Sequence, residues 1–187
     1  MGTSMSGGQL EVIAGCMYSG KSEELIRRLR RAKIAKLNVF VVKPEIDIRS
    51  KNCVASHAKN EFPAVEVHKA IDILTVLPKG VDVLGIDEAQ FLGDELVNVC
   101  RHLISRNIRV IVAGLDLDYR ARPFGPMPHL LALADKVDKL TAICTVCGGT
   151  ATRSHRIKGG TDLVQIGASG SYDARCHVHF LAPTDED

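Results

Sequence analysis

The chain has 187 residues, 45% of them hydrophobic and 25% charged, and 24 basic against 22 acidic side chains leave a net charge of +2. That length holds one substantial core and an appendage, and the near balance of charge gives no general field to draw in nucleic acid or an anionic membrane. No apolar run approaches the ~20 residues of a membrane span, and the first residues lack the apolar stretch of a secretion signal. A cytoplasmic protein is therefore expected, with its six cysteines serving as thiols or metal ligands rather than disulfides.

Residues 1–7 carry no periodic pattern and read as a disordered end. Residues 9–14 alternate as a strand does. They lead into Gly15-Cys16-Met17-Tyr18-Ser19-Gly20-Lys21-Ser22, which fits G-x-x-x-x-G-K-[ST] at every fixed position. Residues 23–36 then take helical spacing. Strand, loop and helix in that order make the motif a phosphate site rather than a glycine-rich turn. Loop amides can face inward around the phosphates, Lys21 can reach the terminal ones, Ser22 can ligate Mg²⁺, and the helix N-terminus adds partial positive charge. The helix sets Arg27, Arg28, Arg30, Arg31, Lys33 and Lys36 against an apolar face of Leu25, Ile26, Leu29 and Ile34, so its cations read mostly as a solvated outer surface.

Further strands are expected at 38–43, 81–86 and 109–114, the last two nearly continuous in apolar residues, as strands buried on both faces must be. Residues 44–63 are polar and weakly periodic and read as a long loop near the site. Residues 92–106 carry an apolar stripe of Leu92, Leu96, Val99, Leu103 and Ile104. These features predict a P-loop α/β domain over residues 8–142, with a mostly parallel sheet and helices on both faces. The strand ending at Ile86 delivers Asp87 and Glu88 to the carboxyl edge, where open α/β sheets bind ligands. One acid can serve the metal and the other can act as a base. The bland alternative is a pair of surface carboxylates at a helix start.

Cys144-x-x-Cys147 and Cys176-x-x-His179 have the spacing of two knuckles closing a tetrahedral zinc site, with His177 as rival fourth ligand. A redox pair leaves the second half unexplained. The site is expected to be structural and to clamp a zinc-ribbon-like unit over residues 143–180, which can close over a planar ligand. Residues 181–187 read as a second disordered end. Cys16, Cys53 and Cys100 stand alone and read as packing thiols.

The P-loop, Asp87-Glu88-Ala89-Gln90-Phe91, the run from Leu115 through Asp116, Leu117, Asp118, Tyr119 and Arg120 to Pro123-Phe124-Gly125, and the Cys-rich end together resemble the type II thymidine kinase family of cells and poxviruses. The resemblance runs from about Gly8 to His179. It implies transfer of the ATP γ-phosphate to the 5′-hydroxyl of thymidine, and of deoxyuridine, in pyrimidine salvage for DNA synthesis. It implies structural zinc, Mg²⁺ with ATP, a homotetramer and feedback by dTTP, with no nucleic acid or membrane partner.

By the same resemblance Glu88 is the base, and Lys21 and Arg49 act on the transferring phosphate. Gly15, Met17, Ser19, Gly20, Lys21, Ser22, Asp87 and Gln90 serve ATP and its metal. Met17, Phe91, Leu115, Tyr119, Phe124, Thr152 and Tyr172 line the nucleoside pocket, with the backbone of Gln165, Ile166 and Gly167 in the loop over the base. Three positions depart from the family's pattern. Tyr119 stands where phenylalanine is commoner, Ala89 replaces a frequent glycine, and His179 stands where some members have a fourth cysteine. Two rival readings are a P-loop ATPase whose zinc unit grips nucleic acid, which needs a basic aromatic groove not found here, and a nucleotide sensor without chemistry, which leaves Glu88 idle.

Overall fold

A computed structural model describes residues 7–47, 53–55, 61–157 and 171–181. In chain order its elements are β1 (Gln9–Gly15), α1 (Lys21–Ile34), β2 (Val39–Pro44), β3 (Cys53–Ala55), β4 (Glu61–Pro63), β5 (Val65–Val67), α2 (Asp72–Val76) and β6 (Val83–Ile86). There follow α3 (Glu95–Ser105), β7 (Arg109–Gly114), α4 (Met127–Leu133), β8 (Lys136–Leu140), β9 (Ala142–Ile143), β10 (Thr150–Ala151), β11 (Arg153–Arg156) and β12 (Tyr172–Arg175). Six strands form one sheet in the order β5-β2-β6-β7-β1-β8, and each pairing in it is parallel.

The period of two along each strand sends alternate side chains to opposite faces. Leu10, Val12, Leu84, Ile86, Val110 and Val112 meet Leu96, Val99 and Leu103 of α3 and Met127 and Leu130 of α4. On the other face Ile13, Val83, Ile111 and Ala113 meet Leu25, Ile26, Leu29 and Ala32 of α1. Fully burying one such side chain contributes about 1.5–3 kcal/mol. Gly85 is small for a packing reason, since a Cβ there would stand 2.9 Å from Leu29 Cδ2. Every strand of the sheet runs the same way, so the segments after β1, β6, β7 and β8 emerge along one edge.

The structure revises several expectations. The stretch 44–63 contains β3 and β4, which pair antiparallel. The sheet also gains β5 and β8 at its two edges, and α2 and α4 join its cover. β8 reads Lys-Val-Asp-Lys-Leu and stays half exposed because it pairs on one side only, and an edge strand needs no continuous apolar run. The third helix starts at Glu95, after a 3-10 turn at Ala89–Phe91.

Two side chains of α1 exchange their expected places. Ile34 is 81% exposed, because five residues beyond Leu29 carry it about 140° around a helix of 100° per residue. Arg28 is buried: its guanidinium donates to Glu11 on β1 (2.7 Å), to Glu24 (2.8 Å) and to Asp138 on β8 (2.5 Å). Arg109 at the start of β7 also donates to Glu11, at 2.6 Å. This network ties the helix to three strands.

Beyond β8 the chain turns small and polar. β9 pairs antiparallel with β10, and β11 with β12. Among the described residues, no helix is long and apolar enough to cross a membrane.

Candidate active site

β1 ends at Gly15, whose φ of 149° and tight surroundings exclude a side chain: a Cβ would stand 2.3 Å from the Leu140 carbonyl oxygen. Tyr18 (φ 64°) and Gly20 (φ 84°) take left-handed backbone that turns the loop into α1. No side chain caps that helix, so its first N–H groups are left for an anion. Ser19 Oγ and Lys21 Nζ both donate to the Cys16 carbonyl at 2.8 Å. Burial lowers the Lys21 pKa, while the negative charge of Glu88, Asp87 and Asp116 works to keep the ammonium charged. Ser22 Oγ donates to Asp87 Oδ2 at 3.0 Å. The loop after β1 and the acid after β6 therefore meet, with hydroxyl and carboxylate arranged as a metal with phosphates requires.

Glu88 follows at φ 50°, ψ 40°, a left-handed conformation that costs of order 1–3 kcal/mol for a residue with a side chain. Its carboxylate is buried and accepts from Gln90 Nε2 at 2.5 Å. Gln90 is itself fixed, because its Oε1 accepts from Leu115 N–H at 3.0 Å. Gly114 and Gly125 wall it in: added Cβ atoms would stand 2.9 Å from Gln90 Oε1 and 2.5 Å from its carbonyl oxygen. The side chain of Gln90 thus orients Glu88 and links the ends of β6 and β7.

Beside this pair lies an aromatic wall. Phe91 and Phe124 meet edge to face with centroids 5.6 Å apart. The Arg156 guanidinium stacks 3.6 Å from the centre of the Tyr119 ring and donates to the Tyr172 hydroxyl at 2.8 Å. Tyr119, the position that departs from phenylalanine, receives a hydrogen bond on its hydroxyl from Arg120 Nε at 2.9 Å. The Thr152 hydroxyl accepts from Arg153 Nη1 at 2.9 Å. Two residues further along the strand, Ser154 Oγ accepts from Met17 N–H at 2.9 Å. Arg49 and residues 165–167 lie outside the described residues.

Sequence reasoning missed Asp116, Ser154 and Arg156. Asp116 is buried at the end of β7 with Lys139 Nζ 2.9 Å from its Oδ2. The usable signal for the other two was the alternation of 154 and 156 on one face of β11.

Cys144, Cys147, Cys176 and His179 place one donor atom each within 4.8 Å of one another. Thiolates on a tetrahedral zinc at ~2.3 Å stand ~3.8 Å apart, and the sulfurs of Cys147 and Cys176 are 3.9 Å apart. His179 Nδ1 lies 3.1 Å from Cys176 Sγ and 3.9 Å from Cys144 Sγ. Burial raises the Cys144 thiol, but hydrogen bonds from the backbone at Cys176, Cys147 and Val146 outweigh it and pull the pKa down to about 6. Three sulfurs and one imidazole in this geometry fit a closed zinc site. His177 stands outside the cluster. By contrast, burial pushes Cys100 up to about 12 and raises Cys16, as suits packing thiols.

The profile of the thymidine kinase family matches residues 8–180. The chain belongs to this family. It is 53% identical to the thymidine kinase of Deinococcus radiodurans over 186 residues, covering 90% of this chain and 88% of that one. With the thymidine kinase of Coprothermobacter proteolyticus it shares 50% identity over 183 residues, 94% of this chain and 92% of the other. Among solved structures, the flagellar accessory protein FlaH from Methanocaldococcus jannaschii superposes with a TM-score of 0.54 and 15% identity, over 80% of this chain and 77% of that one. That likeness concerns the fold alone. The span matched to the thymidine kinase family takes in the phosphate loop, the Asp87–Glu88 pair, the aromatic wall and all four ligands of the metal cluster.

Proposed function

We propose that the chain transfers the γ-phosphate of ATP to the 5′-hydroxyl of thymidine. The observation that carries this reading is the bond from Ser22 to Asp87, which joins a complete phosphate loop to a buried acid pair in a member of the thymidine kinase family. Phosphoryl transfer asks the protein for positioning and charge stabilisation. Loop amides and Lys21 hold the phosphates, and Arg49 completes their neutralisation. Mg²⁺ bound with ATP would supply further charge compensation, held through Ser22 and Asp87. Glu88, oriented by Gln90, accepts the proton of the attacking hydroxyl. Met17, Phe91, Leu115, Tyr119 and Phe124 hold the nucleoside, with Thr152, Tyr172 and residues 165–167 closing over the base.

The metal cluster holds zinc, which fastens residues 143–180 as a covering unit on a P-loop domain of residues 8–142. A division near 142 is supported by the sheet ending at Leu140. The chain works in the cytoplasm as a homotetramer with dTTP as feedback inhibitor; the tetramer and the feedback are supported by the resemblance alone. Backbone groups reading O2, N3–H and O4 of the base accept thymidine and deoxyuridine. Cytosine presents the opposite pattern, and each buried polar group left unpaired costs about 1–3 kcal/mol.

The test is ADP formation from ATP and Mg²⁺ with thymidine, with deoxycytidine or with nucleic acid. Thymidine-dependent ADP is expected, with deoxycytidine poorer by ~10²-fold or more. In Glu88→Gln kcat should fall by roughly 10²–10⁴-fold with little change in either KM. ADP formation that depends on nucleic acid instead would overturn the reading.

A further inference from the structure

Three successive residues of the phosphate loop are tied to the metal-bearing unit. Cys16 Sγ donates to the Ala151 carbonyl at 3.4 Å, Met17 N–H to Ser154 Oγ at 2.9 Å, and the Tyr18 hydroxyl to the Tyr172 carbonyl at 3.1 Å. The acceptors sit on β10, β11 and β12, one on each strand. Those strands are in turn locked to the cluster. Cys144 N–H donates to the Gly149 carbonyl at 2.7 Å, next to β10, and Thr145 N–H donates to the Ala174 carbonyl on β12 at 3.1 Å. Thr152 N–H donates to the Arg175 carbonyl at 3.1 Å, one residue before Cys176. Cys16, Ala142, Cys144, Ala151 and Ala174 also share one small apolar cluster. Hence the four ligands fix three short strands, and the strands fix residues 16–18.

We infer that the metal-bearing unit positions the phosphate loop, with Ser154 as the positioning residue, so that ATP binding depends on this unit as directly as nucleoside binding does. The bonds at Cys16 and Tyr18 flank Met17, so the unit grips the loop on both sides of the residue proposed also to touch the nucleoside. Here the carbonyl of Cys16 also anchors Lys21 and Ser19, so a shift of residues 16–18 carries the phosphate-binding lysine with it. Ser154 is 3% exposed, and removing its hydroxyl leaves the Met17 N–H without its acceptor. The inference rests on the reading of residues 15–22 as the ATP site, and it is independent of which acceptor receives the phosphate.

Calorimetric titration with ATP and Mg²⁺, in the absence of thymidine, tests it on the metal-loaded protein, on Ser154→Ala and on Ser154→Thr. Ser154→Ala should bind ATP about 5- to 150-fold more weakly, the range set by one unpaired buried amide. Ser154→Thr restores an acceptor and should stay within about threefold of wild type, which is under 1 kcal/mol. Metal content equal to wild type shows that each variant is folded around its cluster. A second readout avoids variants altogether: chelating the metal from the wild-type chain should speed hydrogen exchange at the Met17 amide and weaken ATP binding together. ATP affinity indifferent both to Ser154→Ala and to metal removal would overturn the inference. A wild-type chain that binds ATP without phosphorylating thymidine would sink the proposed reaction and leave this inference standing. One that binds no ATP would remove both.

Discussion

Around the six-stranded sheet, buried Val, Ile and Leu side chains fill both faces, whereas among the described residues beyond β8 the apolar cluster is Ala142, Cys144, Ala151 and Ala174, packed against Cys16. At about 25 cal/mol per Å² of buried apolar surface, side chains that small yield little. Ordering each residue costs roughly 1–2 kcal/mol of backbone entropy. The sheet offsets that cost by burial; the smaller region has a Cys3His cluster that fits a zinc, and bonds to residues 16–18, with which to offset it. The contrast is one of means within a single polypeptide.

Removing the metal should break the contrast most sharply. Structural zinc supplies about 10–16 kcal/mol of binding free energy in small zinc-dependent units. Chelation should therefore open residues 142–157 and 171–181 to protease while the far-UV signal of the sheet persists. If both regions unfold together, they form one cooperative unit and the contrast fails.

Next in size comes Arg28→Ala, which should cost about 3–5 kcal/mol in urea denaturation, because it takes the shared buried partner from Glu11 and Asp138, though Lys136 stays 3.6 Å from Asp138. Arg109 still reaches Glu11, which favours the lower end. The same network sets acid sensitivity. Arg27 foremost, then Arg28, holds the Glu24 carboxyl down to about 2, and Arg28 lowers Asp138. Carboxyls lowered on folding contribute stability above their unfolded pKa and lose it as pH falls through the folded value. The melting temperature should decline from about pH 4.5 towards pH 2, and Arg28→Ala should flatten that decline. Asp138 is partly exposed and Arg27 solvated, so screening keeps the amplitude small.

The smallest effect is expected at Ile34→Asp, an exposed position where surface substitutions stay within about 0.5 kcal/mol. A larger loss accompanied by a lower sedimentation coefficient would mean that another copy of the chain covers this surface.

What could be read from the sequence follows the same division. The phosphate loop, the Asp87–Glu88 pair and the two halves Cys144-x-x-Cys147 and Cys176-x-x-His179 were legible because each places its chemistry among near neighbours, where covalent geometry fixes the arrangement. The apolar strands were legible from their continuous runs. Ser154 meets Met17 across 137 residues and Arg28 meets Asp138 across 110. No local pattern encodes such pairings. Glu11 inside an apolar strand was the one available hint that a buried cation lay opposite. β8 escaped notice because an edge strand needs little hydrophobicity, and Ser154 because its partner Met17 lies on a distant loop.

The left-handed backbone at Glu88 carries an evolutionary consequence. Glycine adopts that conformation without penalty and asparagine with little, so the fold by itself would discard the glutamate. A library ranked on heat tolerance alone should enrich glycine or asparagine at position 88, and every such survivor should be catalytically dead. Under the proposed role of Glu88, selection for turnover keeps the acid where it is, so position 88 offers a way to tell whether a lineage has retained the reaction or merely the scaffold.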